Sequence, residues 1–294
     1  MIAPLPAVLA AGWQEGSIDR PQGRLRYVTA GDGFPLLLCH GFIGSAENFE
    51  TWVPRLARRR RLVIPDLPGF GSSDPLPGVH TSRGLAAEVL VLLDSLDLGR
   101  YELGGLCLGA AVALELLAMA PARPRRLILH TPLLDPSSVS RSFHLQVQLG
   151  TAPGVFNLIS FLGRRRVLAD FYRRVAVEGK TAIDQRAADI NFANQVRADP
   201  RAAREWLRDG LRTDFRPLLE GWRGPLEVLA AADDRLLELE RVKEFCARRP
   251  QTTISVIDSA GHGWDKDLIR RQLDLLEQFL ADGESLTEPA VPVD

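Results

Sequence analysis

Lysine is almost missing from this 294-residue chain: it occurs at Lys180, Lys243 and Lys266, and arginine supplies nearly all of the 36 basic residues. Against 37 acidic residues the net charge is −1, so no bulk field favours nucleic acid or an anionic membrane, and neither is expected as a partner. The arginine bias reads as codon composition more than function. Cysteine is scarce as well. Cys39, Cys107 and Cys246 stand far apart with no paired spacing, which excludes a disulfide framework and the usual zinc patterns. No metal and no cofactor is expected. No uninterrupted apolar run is long enough to span a bilayer. The first dozen residues contain Pro4 and Pro6 but no basic segment, so a secretory leader is not expected and a cytoplasmic location is. The length suits one large α/β domain with room for an inserted subdomain, and no internal repeat is visible.

What the chain does have is centred on one pentapeptide, Gly105-Leu106-Cys107-Leu108-Gly109. It separates a strand-like run, Arg100 to Gly104, from a helix-like run, Ala110 to Ala120, that is apolar nearly all round. This is the placement of a nucleophile elbow, Gly-x-Nuc-x-Gly, with cysteine where serine is usual. A turn so tight strains the backbone of the central residue. Side chains two positions before or after it would collide, hence glycine at both. The sulfur of Cys107 would stand at a helix N-terminus, where negative charge is favoured. A glycine-rich turn into a core helix, with Cys107 as a small buried hydrophobe, is the plainer reading of the pentapeptide taken alone.

Other segments fall into place around it. Leu25 to Ala30 alternates and reads as a strand, and Phe34 to Cys39 is wholly apolar, as in a strand buried on both faces. That strand runs into His40-Gly41-Phe42. Ala46 to Arg60 reads as an amphipathic helix whose end, Arg58 to Arg61, faces solvent. A strand, Leu62 to Pro65, leads into Asp66-Leu67-Pro68-Gly69-Phe70-Gly71-Ser72-Ser73, and Thr81 or Ser82 caps a helix striped by Leu85, Val89, Leu92 and Leu96. After a buried strand at Arg125 to Thr131 the texture changes. Strand-like runs vanish and helical stretches follow one another (Phe156 to Leu162, Val167 to Val177, Ile183 to Val196, Ala202 to Leu211). Strands return at Leu226 to Ala230, ahead of Asp233-Asp234, and at Thr252 to Ile257, ahead of Gly261-His262-Gly263. Helices are expected between them at Leu239 to Ala247 and after them at Asp267 to Leu280.

Taken together, the elbow, His40-Gly41-Phe42, the Asp66 to Ser73 loop and Gly261-His262-Gly263, each at the end of an expected strand, resemble the α/β-hydrolase superfamily. The resemblance covers residues 25–131 and 225–281. It implies an α/β-hydrolase fold: a mostly parallel central sheet flanked by helices, with an inserted helical cap. The expected division is a core made of 1–131 and 224–281, a cap of 132–223 and a disordered acidic tail at 282–294.

The resemblance also implies roles. Cys107 would be the nucleophile and His262 the base that takes its proton. The acid that fixes the imidazole is expected at Asp234, with its neighbour Asp233 and, after the preceding strand, Asp135 as rivals. The backbone N–H groups of Phe42 and Leu108 would form the oxyanion hole. His40 organises its loop, and His80, His130 and His144 are structural or surface residues. The expected activity is cysteine-dependent acyl hydrolysis or acyl transfer on an ester, thioester or lactone. Its partner would be a small acyl substrate, free or linked to coenzyme A or a carrier protein. Phe143, Phe156, Phe161, Phe171, Tyr172, Phe192 and Trp206 either line an acyl pocket or pack the cap helices. Arg164 to Arg166, Arg173 and Arg174 either receive a phosphate or face solvent. Two other readings stay open: a non-catalytic small-molecule-binding protein, and a serine hydrolase whose nucleophile has been replaced by cysteine. The substrate and the oligomeric state are not legible.

Overall fold

The computed structural model describes residues 12–152, 154–177, 184–258, 261–262 and 266–281. Its strands are β1 (Gln14–Arg20), β2 (Gly23–Ala30), β3 (Phe34–Cys39), β4 (Arg60–Pro65), β5 (Tyr101–Leu106), β6 (Pro124–His130), β7 (Leu226–Ala231) and β8 (Thr252–Ile257). They form one sheet in the order β1-β2-β4-β3-β5-β6-β7-β8, in which β1, β2 and β4 pair antiparallel and every pair from β4 to β8 is parallel. The helices in chain order are α1 (Val53–Leu56), α2 (Ser82–Ser95), α3 (Leu108–Met119), α4 (Arg141–Gly150), α5 (Val155–Gly163), α6 (Arg166–Tyr172), α7 (Gln185–Arg197), α8 (Pro200–Gly210), α9 (Leu239–Ala247) and α10 (Lys266–Ala281).

The apolar strand β3 shows why the sheet is covered on both sides. Leu37 and Cys39 enter the larger core with α2 and α3, while Leu36 and Leu38 enter a second core with Phe49, Trp52 and the Leu273 and Leu276 side chains of α10. The two-residue period of a strand sends alternate side chains to opposite faces, so an unbroken apolar run needs two apolar layers. Helix α3 is buried from Leu108 to Leu117, in keeping with its all-round apolar sequence.

Between β6 and β7 the described chain is helical, holding α4 to α8 and short 3₁₀ turns. α4 escaped the sequence because Val147 is its one buried residue, too little for an apolar stripe. β1 is not marked in the sequence for a related reason: its inward positions, Gly16, Ile18 and Arg20, hold one large apolar side chain, so the apolar–polar alternation of a half-buried strand is missing.

The stretch after β3 corrects the sequence expectation. Instead of one helix from Ala46 to Arg60 there is a 3₁₀ turn at Ala46–Phe49 and the single turn α1, and β4 has begun by Arg60. Pro54 lies inside the expected helix and has no N–H to donate to the carbonyl four residues back. The arginine run is also not uniformly solvent-facing. Arg60 is buried, donating to Glu102 Oε2 at 2.7 Å and to the Leu280 carbonyl at 2.8 Å, with Arg126 3.8 Å from the same carboxylate. Removing one partner of such a pair strands the other charge. Glu102→Ala is therefore expected to lower unfolding stability by about 3 kcal/mol, read from urea denaturation curves of the two proteins.

Among the described residues, no helix is long and apolar enough to cross a membrane. The tail at 282–294 and Gly263, beside the candidate histidine, lie outside the described residues.

Candidate active site

The strand order places β4 on one side of β3 and β5 on the other, so the chain reverses its direction of winding at β3. In open α/β sheets the crevice beyond the carboxyl ends of the strands at such a point is where ligands bind. Cys39 of β3 is level with Gly105 of β5, so the loops that leave these strands, His40 to Ser45 and the elbow, lie side by side.

Cys107 caps α3 with φ 53° and ψ −117°, outside the regions open to ordinary residues. Its N–H donates to the His130 carbonyl at 2.8 Å, which holds the elbow against the end of β6. The flanking glycines are required by close approach. A Cβ on Gly105 would fall 2.4 Å from the Gly109 carbonyl oxygen, and one on Gly109 would fall 2.3 Å from that of His40. A Cβ on Gly41 would lie 3.1 Å from that of Cys107, so the loop after β3 runs against the candidate nucleophile. Leu108 opens the helix and has no intrahelical acceptor for its N–H. Neither its N–H nor that of Phe42 donates a hydrogen bond among the described residues.

His262 follows β8 and Asp234 follows β7, on neighbouring strands. Asp234 Oδ2 lies 2.6 Å from His262 Nδ1, and its Oδ1 accepts from the N–H groups of Leu236 and Leu237 at 2.8 and 3.3 Å. Its side chain is only 2% exposed. Burial opposes ionisation, but the His262 charge and these hydrogen bonds outweigh it and hold the carboxyl below its ordinary range. For His262 burial again opposes the charged form, yet Asp234 and, after it, Cys107 raise its pKa well above 6.5. Its Nε2 is buried with no hydrogen bond of ordinary geometry among the described residues, while the Cys107 sulfur is near enough to act on its charge. The imidazole thus stands between a carboxylate and a thiol.

The rival carboxylate Asp135 is engaged elsewhere. It caps the 3₁₀ turn Pro136–Ser138, accepting from the Ser137 N–H at 2.6 Å, and lies 3.4 Å from Arg216. Asp233 lies half-buried next to Asp234. His40 is fully buried. Its Nε2 accepts from the Leu67 N–H and its Nδ1 faces the Gly41 carbonyl, both at 2.9 Å, and burial lowers its pKa to about 4. It ties the loop after β3 to the loop after β4 as a neutral ring. Asp66 does the same from the other side, accepting from the Ala46 N–H at 2.7 Å and the Ser72 N–H at 2.8 Å.

His130 takes the structural of its two expected places. It is buried at the end of β6, and burial, with the His262 charge second, pushes its pKa down to about 3. Its contribution to the elbow is a backbone carbonyl, for which no side-chain pattern could have signalled. The helical insertion reaches the same place. A Cβ on Gly210 of α8 would meet the Leu108 side chain at 2.1 Å, and Ser45 donates to the buried Asn194 of α7 at 2.9 Å. Trp206 of α8 is fully buried and rests on Phe70, with ring centroids 5.1 Å apart. Among the described residues no group of His, Cys, Asp and Glu side chains could hold a metal ion.

Comparison with known proteins agrees with this architecture. Residues 35–263 match the family described as the alpha/beta hydrolase fold. The 2-hydroxymuconate semialdehyde hydrolase of Pseudomonas putida is 26% identical over 295 residues, covering 95% of this chain and 95% of that protein. The 2-hydroxy-6-oxo-2,4-heptadienoate hydrolase of Pseudomonas putida is 26% identical over 268 residues, 85% of this chain and 90% of that one. Among solved structures, the enol-lactonase of Burkholderia xenovorans LB400 superposes with a TM-score of 0.74 at 17% identity, over 90% of this chain and 100% of its own. The match spans most of the chain and includes both the elbow and the histidine loop, so the protein belongs to the α/β-hydrolase fold family.

Proposed function

We infer that this α/β-fold hydrolase cleaves an ester, thioester or lactone through a Cys107-His262-Asp234 triad and a covalent acyl-enzyme. The observation that carries the reading is the His262 ring, bonded to Asp234 through Nδ1 and near enough to Cys107 for that residue to favour its charge, with the cysteine held in strained backbone at a helix N-terminus. A binding protein has no use for that strain, which costs about 1–3 kcal/mol.

In the proposed reaction, Cys107 Sγ attacks the substrate carbonyl carbon and its proton passes to His262 Nε2. The oxygen that becomes negative is received by the N–H groups of Phe42 and Leu108. Collapse breaks the bond to the leaving oxygen or sulfur, which takes the proton from His262 and leaves a thioester on Cys107. His262 then removes a proton from water, the hydroxide attacks the thioester, and the acid departs as the thiol re-forms. Asp234 holds the tautomer that points a free Nε2 at the reacting atoms. Residues 132–223 serve as the cap that selects the substrate, a role supported by the contact of α8 with Leu108. Two relatives are named as hydrolases and one solved neighbour as an enol-lactonase, which favours transfer of the acyl group to water and makes lactones the first substrates to try. A thioester intermediate also reacts with amines and thiols, so acyl transfer is the competing outcome of the same intermediate.

Intact-protein mass after mixing with a panel of lactones, activated esters and acyl thioesters tests the reading. A transient gain equal to the acyl group, absent from Cys107→Ala, is the expected result. Tight binding of a panel member without any adduct or turnover would instead establish a binding protein. Repeating the decay with added amine or alcohol separates hydrolysis from transfer.

A further inference from the structure

Of the large apolar side chains that stand exposed among the described residues, all but Val79 and Val91 fall between Leu145 and Val175, on α4, α5, α6 and the turn that follows. They include Leu149 (65% exposed), Phe161 (58%), Val167 (80%) and Phe171 (67%). Three of the aromatic residues weighed above as pocket lining or cap core, Phe161, Phe171 and Tyr172, are therefore on neither list: they face outward. The three helices form one continuous face. Tyr172 of α6 donates to Gln146 of α4 at 3.5 Å, and the Ile159 side chain of α5 lies 3.4 Å from the position a Cβ would take on Gly150 of α4.

Charge on this face is mostly positive, although Asp189 of α7 also reaches Arg166, at 2.6 Å. Residues 141–175 carry Arg141, Arg164, Arg165, Arg166, Arg173 and Arg174 against a single carboxylate, Asp170. Asp170 is already held by Arg166 at 2.8 Å and Arg173 at 3.2 Å. Arg141, Arg164, Arg165 and Arg174 are exposed, and the Arg165 guanidinium sits 6.0 Å from the ring centroid of Phe161, within the apolar patch. The near-neutral balance of the whole chain conceals this local excess, which is why composition gave no sign of it.

We propose that the outer face of α4–α6 docks on an anionic lipid bilayer, its apolar side chains entering the interface and its arginines meeting the headgroup phosphates. Exposed Leu, Ile and Phe interleaved with arginine, and nearly devoid of acid, is the composition of helices that lie in such an interface. A second copy of this chain fits the face less well. A two-fold contact sets a surface against itself, and here it would oppose arginine to arginine. Apolar exposure on this scale is otherwise a liability for a protein free in solution.

Sedimentation with vesicles tests the proposal. The full chain is mixed with vesicles of phosphatidylglycerol and phosphatidylcholine, or of phosphatidylcholine alone, at low and high salt. Binding to the anionic vesicles at low salt, and its release by 0.5 M salt, are expected. Arg164→Gln, Arg165→Gln and Arg174→Gln together should weaken binding about a hundredfold. Leu158→Ser with Phe161→Ser and Phe171→Ser should abolish it, with melting unchanged because these side chains are exposed. Failure to bind anionic vesicles at low salt would overturn the proposal. So would binding that survives the apolar substitutions, which would reduce it to adsorption of charge. A concentration-dependent dimer in analytical ultracentrifugation, dissociated by the same apolar substitutions and indifferent to vesicles, would assign the face to a second copy.

Discussion

Cys107→Ala is expected to reduce kcat on any substrate the protein turns over by about 10⁶-fold, the usual consequence of deleting a covalent nucleophile. What would remain is the binding of the substrate and, in the proposed mechanism, the two N–H groups at Phe42 and Leu108, with water as a poor attacking group. Cys107→Ser should retain the geometry but react more slowly on the same substrates. A hydroxyl gives up its proton less readily than a thiol and asks more of His262. A serine variant faster than the parent would instead identify the cysteine as a replacement in a serine hydrolase. Alkylation gives an independent reading. Cys39 and Cys246 are buried, and burial pushes their thiols up to about 12 and about 11, whereas Cys107 is partly exposed. One iodoacetamide adduct at neutral pH, located at Cys107 and accompanied by loss of activity, is the expected result. Two or three adducts at equal rates would contradict it.

Asp234→Asn carries the second largest effect, a fall in kcat of roughly 10³- to 10⁴-fold with a much smaller change in KM. In the proposed mechanism the carboxylate accepts the Nδ1 proton of His262, so that in the neutral ring Nε2 is the nitrogen left to act as base. An amide that donates to Nδ1 instead imposes the opposite tautomer and places a proton on the working nitrogen. The same substitution should change the pH dependence of stability. His262 has a folded pKa raised well above 6.5, so its gain from Asp234 is complete below 6.5 and fades as pH rises through the raised value. Asp234 has a folded pKa below 3.8, so its gain is complete above 3.8 and fades as pH falls through the lowered value. The stability lost in Asp234→Asn should therefore be greatest between pH 3.8 and 6.5 and shrink on the alkaline side. Denaturation curves at pH 5 and pH 9 measure it, and an equal loss at both would rule out the pairing as its source.

Much of the fold was legible because its signals are local. The elbow glycines mark a turn that tolerates no side chain, and each central strand announces itself as an apolar run that needs cover on both faces. The helix after the elbow is apolar but for Glu115 over the stretch Leu108 to Leu117 that is buried. Thr81, one of two candidate caps, accepts the Gly84 N–H at 3.0 Å, a bond within three residues. Where the signal depends on distant partners, the sequence misled. Arg60 looked like one cation among four at an exposed helix end. Its carboxylate partner is 42 residues away, on the next strand of the chain, with β3 between the two in the sheet.

The candidate site divides along the same line. Residue types and spacing singled out Cys107 and His262, because a strained elbow and a histidine loop at strand ends are both written in consecutive residues. They could only rank Asp234, Asp233 and Asp135, since all three follow strands of one sheet. The folded chain separates them by what each carboxylate meets: Asp234 bonds the imidazole, and Asp135 caps a turn and lies beside an arginine. The outward face of α4–α6 belongs wholly to the tertiary level. A sequence shows that a phenylalanine is apolar, but whether water reaches it is decided by what packs over it. Sequence alone determined which strands are buried, where the chain must turn and which thiol is set at a helix start. The tertiary structure decided which acid faces the histidine, which arginine is buried and which apolar side chains were left uncovered, because each of these is a property of pairs far apart in the chain.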